Sequence, residues 1–179
     1  MSLILAIDPG YDRCGVAIVQ AGRPSELIDS YCIETNKKDL QEARLYQIYT
    51  EITALIEKYT PSHIALETLF FSVNKKTAIK VAESRGVIVL IAGQHHLPLI
   101  ELSPQEVKLA MAGVGNADKK QVQKMVALTL KIDIAKKIDD EIDAIALGFA
   151  AAEQIRVNTF KKKKKNTSKG NHSLIQRSV

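Results

Sequence analysis

The sequence predicts one α/β domain built on a mixed five-stranded sheet with helices on both faces. Three observations carry this expectation. Three strand-like segments separated by turn signals follow one another at the N-terminus. Helical and strand-like segments then alternate. The chain has 179 residues, 46% of them hydrophobic, which is enough for one domain with a real core.

The first strand is the apolar run Leu3-Ile4-Leu5-Ala6-Ile7 ending in Asp8. The turn Asp8-Pro9-Gly10-Tyr11 leads into Arg13 to Gln20, whose Gly-Val-Ala-Ile-Val stretch closes a hairpin. After Ala21-Gly22-Arg23-Pro24 a third strand covers Glu26 to Glu34. Leu40, Leu45, Ile48, Ile52, Leu55 and Ile56 recur at helical spacing and stop before Thr60-Pro61, and His63-Ile64-Ala65-Leu66 is a short strand ending in Glu67. Thr77 to Ala92 reads as an apolar helix interrupted at Arg85-Gly86, and Leu97 to Leu102 as the fifth strand.

Ser103-Pro104-Gln105-Glu106 supplies an N-cap, a proline at the first helical position and acidic residues in the first turn. A further helix runs from near Asp118 to about Lys131, and the last begins near Asp139 or Asp140 with Ile142, Ile145 and Phe149 on one face. After Phe160 the lysine run and the polar residues behind it cannot bury a core. The expected organisation is therefore a folded domain over 1–157 and a disordered basic tail over 158–179. No internal repeat is present.

The formal net charge of +5 suggests nucleic acid, but its distribution changes the inference. Residues 161–179 hold seven basic and no acidic residues, which leaves 18 basic against 20 acidic residues in 1–160. A DNA role must rest on local basic patches. Lys75, Lys76 and Lys80, at the start of the second long helix, are mostly solvated in this reading, with one or two touching phosphate.

No stretch reaches the roughly 18 apolar residues of a membrane span, and the N-terminus lacks a signal-peptide pattern, so a cytoplasmic protein without membrane contact is expected. Cys14 and Cys32 match no zinc spacing and read as reduced thiols; His63, His95, His96 and His172 likewise show no ligand spacing.

Four carboxylates are hard to explain by folding alone. Asp8 and Glu67 end core strands, where a charge is costly unless paired, hydrogen-bonded or bound to a metal. Asp140 and Asp143 lie three apart at a helix start and can face one side. Asp139 and Asp143, four apart, share a face about as well, and Asp139 could instead be the N-cap; Glu141 is expected to face solvent. Asp8 alone could be a turn-initiating residue before Pro9-Gly10. In open sheets, sites lie beyond the carboxyl ends of strands, where Asp8 and Glu67 both stand. Carboxylates without His or Cys partners suit a hard cation such as magnesium, and two such ions clamp phosphodiester hydrolysis.

Ile7-Asp8-Pro9-Gly10 with Gly15, Glu67 with Phe70 and Asn74, Ser84-Arg85-Gly86, Val107-Lys108, Gly113 through Ala117-Asp118-Lys119 to Gln121-Val122, and Asp140-x-x-Asp143-Ala144-x-Ala146 follow in one order. Together they resemble the RuvC family of Holliday junction resolvases over roughly residues 3–152. The resemblance implies an RNase H-like fold and a homodimer that introduces paired symmetric nicks in four-way junction DNA. It implies two Mg2+ ions per active site, for which Mn2+ can substitute, and a branch-migration helicase complex as partner. By position Asp8, Glu67, Asp140 and Asp143 match the catalytic, metal-holding carboxylates. Lys108 and Lys119 match basic residues near the scissile DNA and Phe70 an aromatic on the DNA-facing loop, with Asn74, Lys75, Lys76 and Arg85 as further DNA contacts. Phe71-Ser72-Val73 and Asn116 depart from the family's usual residues.

Other readings compete. An RNase H-fold nuclease acting on structured RNA would use a similar carboxylate set. A phosphate-binding ATPase of the actin or sugar-kinase type needs two lobes and a longer chain. A noncatalytic junction-binding protein would be poorly served by carboxylates that repel phosphate.

Overall fold

The computed structural model describes residues 2–68 and 75–172, with the backbone alone for 75–77 and 162–172. Strands β1 (Leu3–Asp8), β2 (Arg13–Gln20) and β3 (Glu26–Glu34) form an antiparallel meander. They are followed by α1 (Gln41–Tyr59), β4 (His63–Glu67), α2 (Lys75–Gln94), β5 (Leu99–Leu102), α3 (Pro104–Ala112), α4 (Lys119–Leu130) and α5 (Asp139–His172). The sheet order is β3-β2-β1-β4-β5, with β4 and β5 parallel to β1 and to each other.

Side chains alternate across this sheet and divide the core in two. Leu5, Ile7, Val16, Ile18, Ile64 and Leu66 pack on Ile48 and Ile52 of α1 and Ile88 and Ile91 of α2. On the opposite face, Ile4, Ala6, Ala17, Val19 and Ala65 meet Ile145 and Phe149 of α5, with Val107 and Val126 from α3 and α4. The small residues there let α5 approach closely. A Cβ at Gly148 would lie 2.6 Å from Val19 Cγ2 and 3.1 Å from the Cβ of Ala6.

The strands agree closely with their sequence signals, whereas three boundaries differ. α2 begins before Thr77 and continues through Arg85-Gly86 without a break. A helical interior glycine costs only about 1 kcal/mol, less than the burial of Ile88 and Ile91 returns. β5 begins at Leu99 rather than Leu97, because the Leu97 amide donates to the Ala92 carbonyl at the end of α2 and Pro98 has no amide to pair. The backbone of α5 runs to His172, through residues where composition predicts a tail without structure. Lysine is a good helix former, and adding residues to an existing helix avoids the cost of nucleation. Val157 and Phe160 are exposed, so this extension adds little to the core. Among the described residues no helix is long and apolar enough to cross a membrane.

Candidate active site

Asp8 and Glu67 stand at the same end of adjacent parallel strands, since Ile7 pairs with Leu66 and Ile4 with His63. α5 crosses that end and brings Asp143 over them. α3 and α4 contribute one lysine each, and both helices start at reciprocal caps. The Ser103 amide donates to Glu106 Oε2 at 2.7 Å while the Glu106 amide donates to Ser103 Oγ. Asp118 and Gln121 repeat the arrangement, which fixes Lys119 as the first residue of α4. Asp8, Glu67, Asp143, Lys108 and Lys119 thereby line one cavity of about 270 Å³, with Val107, Val122 and Leu147 as apolar wall.

The cavity is electrostatically strained. Burial, followed by the charges of Asp143, Glu67 and Asp140, pushes the Asp8 carboxyl up to about 7, with Lys119 acting the other way. Burial and Asp143 raise Glu67, against Lys108 and Lys119. Burial also raises Asp143, although Lys119 Nζ donates to its Oδ2 at 2.9 Å. For Lys119 itself burial works downward, but the hydrogen bond and charge of Asp143 outweigh it and hold the ammonium above its ordinary value.

The remaining pair at the start of α5 divides. Asp140 lies outside this cavity, in a neighbouring cleft, where its Oδ2 is 3.8 Å from Arg13; its charge still reaches Asp8. Asp139 is the first helical residue rather than the N-cap, since the helix starts there and the Ile142 amide bonds back to Ile138. It is 67% exposed, 3.4 Å from Lys119, and accepts from Gln123 Nε2 at 3.0 Å. Asp139→Asn is therefore expected to keep most cleavage activity, whereas Asp143→Asn loses it; equal losses in a nicking assay would place Asp139 in the site.

Oxygen-only donors around a carboxylate that resists ionisation fit a hard divalent cation, which would supply the missing positive charge. Asp8, Glu67 and Asp143 could hold it, with Asp140 adjoining. Among the described residues no three such side chains close into a ready-made ligand set, and Lys119 now balances part of their charge.

Several other expectations meet the structure differently. Phe70 and Asn74 lie outside the described residues, as do the side chains of Lys75 and Lys76. Arg85 does not line the cavity: its guanidinium pairs with Glu101 on β5, and its Nε is buried without a partner among the described residues. Glu141 is buried rather than solvent-facing. It accepts from Ser30 Oγ at 2.7 Å and pairs with Lys137, which ties α5 to β3. Both thiols are raised by burial, Cys32 to about 11, in keeping with unreactive cysteines.

One residue escaped the sequence reading. Arg44 is 4% exposed and donates to Asp12 Oδ1 at 2.5 Å, Thr35 Oγ1 at 2.9 Å and the Tyr11 carbonyl at 3.1 Å, with its guanidinium 3.7 Å from the Tyr11 ring centre. The available signal was its position four residues before Ile48 on the apolar stripe of α1.

Comparison with known proteins identifies the family and the fold. The family model described as crossover junction endodeoxyribonuclease RuvC matches residues 4–151. A protein of that description from Brachyspira hyodysenteriae is 44% identical over 156 residues, covering 87% of this chain and 96% of that protein. One from Thermosipho melanesiensis is 42% identical over 154 residues, covering 86% and 98%. Among solved structures, T. thermophilus RuvC in complex with a Holliday junction substrate superposes with TM-score 0.82 at 25% identity, covering 89% of this chain and 98% of that one. The yeast mitochondrial Holliday junction resolvase shares the fold, with TM-score 0.64 at 16% identity over 93% of this chain and 86% of its own.

Proposed function

The chain belongs to the RuvC family of crossover junction endodeoxyribonucleases, and from that membership we propose that it resolves four-way Holliday junctions in DNA recombination and repair. The observation that carries the chemistry is the single cavity shared by Asp8, Glu67, Asp143, Lys108 and Lys119 beyond the ends of two neighbouring strands. The reaction in this reading is hydrolysis of one phosphodiester in each of two strands of like polarity. Two such cuts related by symmetry need two sites related by a two-fold axis, which a homodimer supplies. The branch-migration helicase complex and a cytoplasmic location complete the reading.

Two magnesium ions, or manganese in their place, supply water activation and leaving-group stabilisation when bound. Asp8, Glu67 and Asp143 would hold them, with Asp140 as the adjoining ligand. Lys108 and Lys119 place positive charge beside the scissile phosphate, where preorganised charge favours the transition state. Val107, Val122 and Leu147 restrict water and so strengthen these interactions. Phe70 stacks on bases exposed at the junction centre. Lys108→Ala and Lys119→Ala are expected to slow single-turnover cleavage by about 10²-fold each with melting temperature preserved; unchanged rates remove both from the site.

Direct comparison of substrates separates this function from its competitor. The protein is expected to nick a four-way DNA junction at two symmetric positions and to leave structured RNA uncut. Preferential RNA cleavage would assign it to RNA processing. Junction binding without cleavage in Mg2+ or Mn2+ would make it a noncatalytic binder.

A further inference from the structure

We propose that the cleft beside the carboxylate cavity binds the sugar–phosphate backbone of the DNA strand flanking the scissile phosphate, through Arg13, Lys37 and Lys80. This contact rests on the junction-endonuclease reading and extends it to residues outside the cavity. The cleft has a volume of about 590 Å³ and lies beside the site. Asp140 lines it, and so does the turn Gly10 to Arg13 that directly follows Asp8. A strand whose scissile phosphate lies over Asp8 therefore has this cleft as its next available groove.

Three cations from three separate segments converge there: Arg13 from β2, Lys37 from the β3–α1 connection and Lys80 from α2. Their present pairings are easily exchanged for phosphate. Lys37 is 76% exposed and 3.1 Å from a half-exposed Asp12. Arg13 is 3.8 Å from Asp140. Lys80 has no carboxylate partner among the described residues and rests 4.7 Å from the Tyr11 ring centre. Exposed ion pairs contribute roughly 0–1 kcal/mol, so swapping them for a phosphate costs little. Because residues 1–160 hold 18 basic and 20 acidic residues, such a convergence is not a general property of the surface.

The floor of the cleft is rigid. Arg44 lies beneath it, clamping Tyr11, Asp12 and Thr35, and Thr35 Oγ1 donates to the Tyr11 carbonyl at 2.8 Å. The Tyr11 ring has Arg44 and Lys80 as cationic neighbours. A contact held on such a floor loses little entropy when it binds. Asp12, Glu34 and Asp140 also line the cleft and oppose an anion. Arg44 and Lys37 offset Asp12, and Arg13 offsets Asp140, whereas exposed Glu34 has no cationic partner among the described residues. Glu34 thus sets a limit on affinity that its neutral amide would lift.

The test is binding of a fluorescent four-way junction to the full chain in metal-free buffer, measured as anisotropy over a salt series. Lys37→Ala/Lys80→Ala is expected to weaken binding about 10-fold at low salt and to make the slope of log affinity against log salt shallower by about two units. Lys37→Arg/Lys80→Arg should restore both, and Glu34→Gln should tighten binding. An unchanged affinity and slope in the double alanine variant would overturn the cleft as a DNA contact, with wild-type cleavage of the junction leaving the endonuclease reading intact. A wild-type protein that neither binds nor cuts the junction would remove both.

Discussion

Replacing Asp8 by Asn is expected to reduce metal-dependent junction cleavage by about 10³-fold, the scale of losing one preorganised electrostatic group from an active site. The same change should stabilise the metal-free protein above neutral pH. The carboxyl of Asp8 titrates near 7 in the fold, above the ordinary 3.8, because burial and three other carboxylates disfavour its charge. The folded state therefore holds the proton more tightly than the unfolded state. This penalty is absent below about pH 4, grows as pH rises from 4 to 7, and is complete above 7. A gap of about 3 units corresponds to at most about 4 kcal/mol, and solvent entering through the cavity mouth reduces it. Asn at this position should raise the melting temperature at pH 8 by about 4–10 °C and leave it nearly unchanged at pH 4. Equal melting temperatures at pH 8 would show that Asp8 carries no such penalty.

Gly15→Ala should cost both stability and activity. Gly15 pairs with Asp8 across the β1–β2 ladder, and α5 crosses directly over it. A Cβ there would fall 1.9 Å from the Asp140 carbonyl oxygen and 2.5 Å from its carbonyl carbon. The obstruction is backbone and cannot rotate away, so the start of α5 must move off β2. The expected loss of stability is about 2–4 kcal/mol, the range of a forced overpacking. Displacing Asp140 and Asp143 from Asp8 by about 1 Å can cost a further 10²-fold in rate. A variant with wild-type melting and nicking would mean that the spacing of β2 and α5 is not set by this glycine.

Gly15 also illustrates what the sequence made legible. Its motif position marked it for the family resemblance, but its physical role depends on a helix more than a hundred residues later in the chain. The central strands were readable because continuous apolar runs and turn signals act locally. The positions of Asp8 and Glu67 followed from the same signals, as both end apolar runs. Choosing between Asp139 and Asp140 was beyond local reasoning, since three- and four-residue spacings both satisfy one helix face. Their different surroundings arise from Lys119 on one side and Arg13 on the other, contacts made only in the folded chain. The burial of Arg44 and Glu141 was beyond local reasoning for the same reason: a charged residue on a buried face is identified by its partners, and these come from the β1–β2 turn and from β3.

The central claim is that Asp8, Glu67 and Asp143 form a cation-holding catalytic site, and calorimetric titration of Mn2+ into the full chain at pH 7 tests it most directly. Wild-type protein should bind the ion and release protons in doing so, because a carboxyl that titrates near 7 must ionise to serve as a ligand. The proton release appears as a dependence of the observed heat on the ionisation enthalpy of the buffer. Asp8→Asn and Asp143→Asn should each lose most of the binding, and Asp8→Asn should lose the buffer dependence as well. Binding of unchanged affinity and unchanged proton release in Asp8→Asn would contradict the account and place the ion elsewhere on the protein.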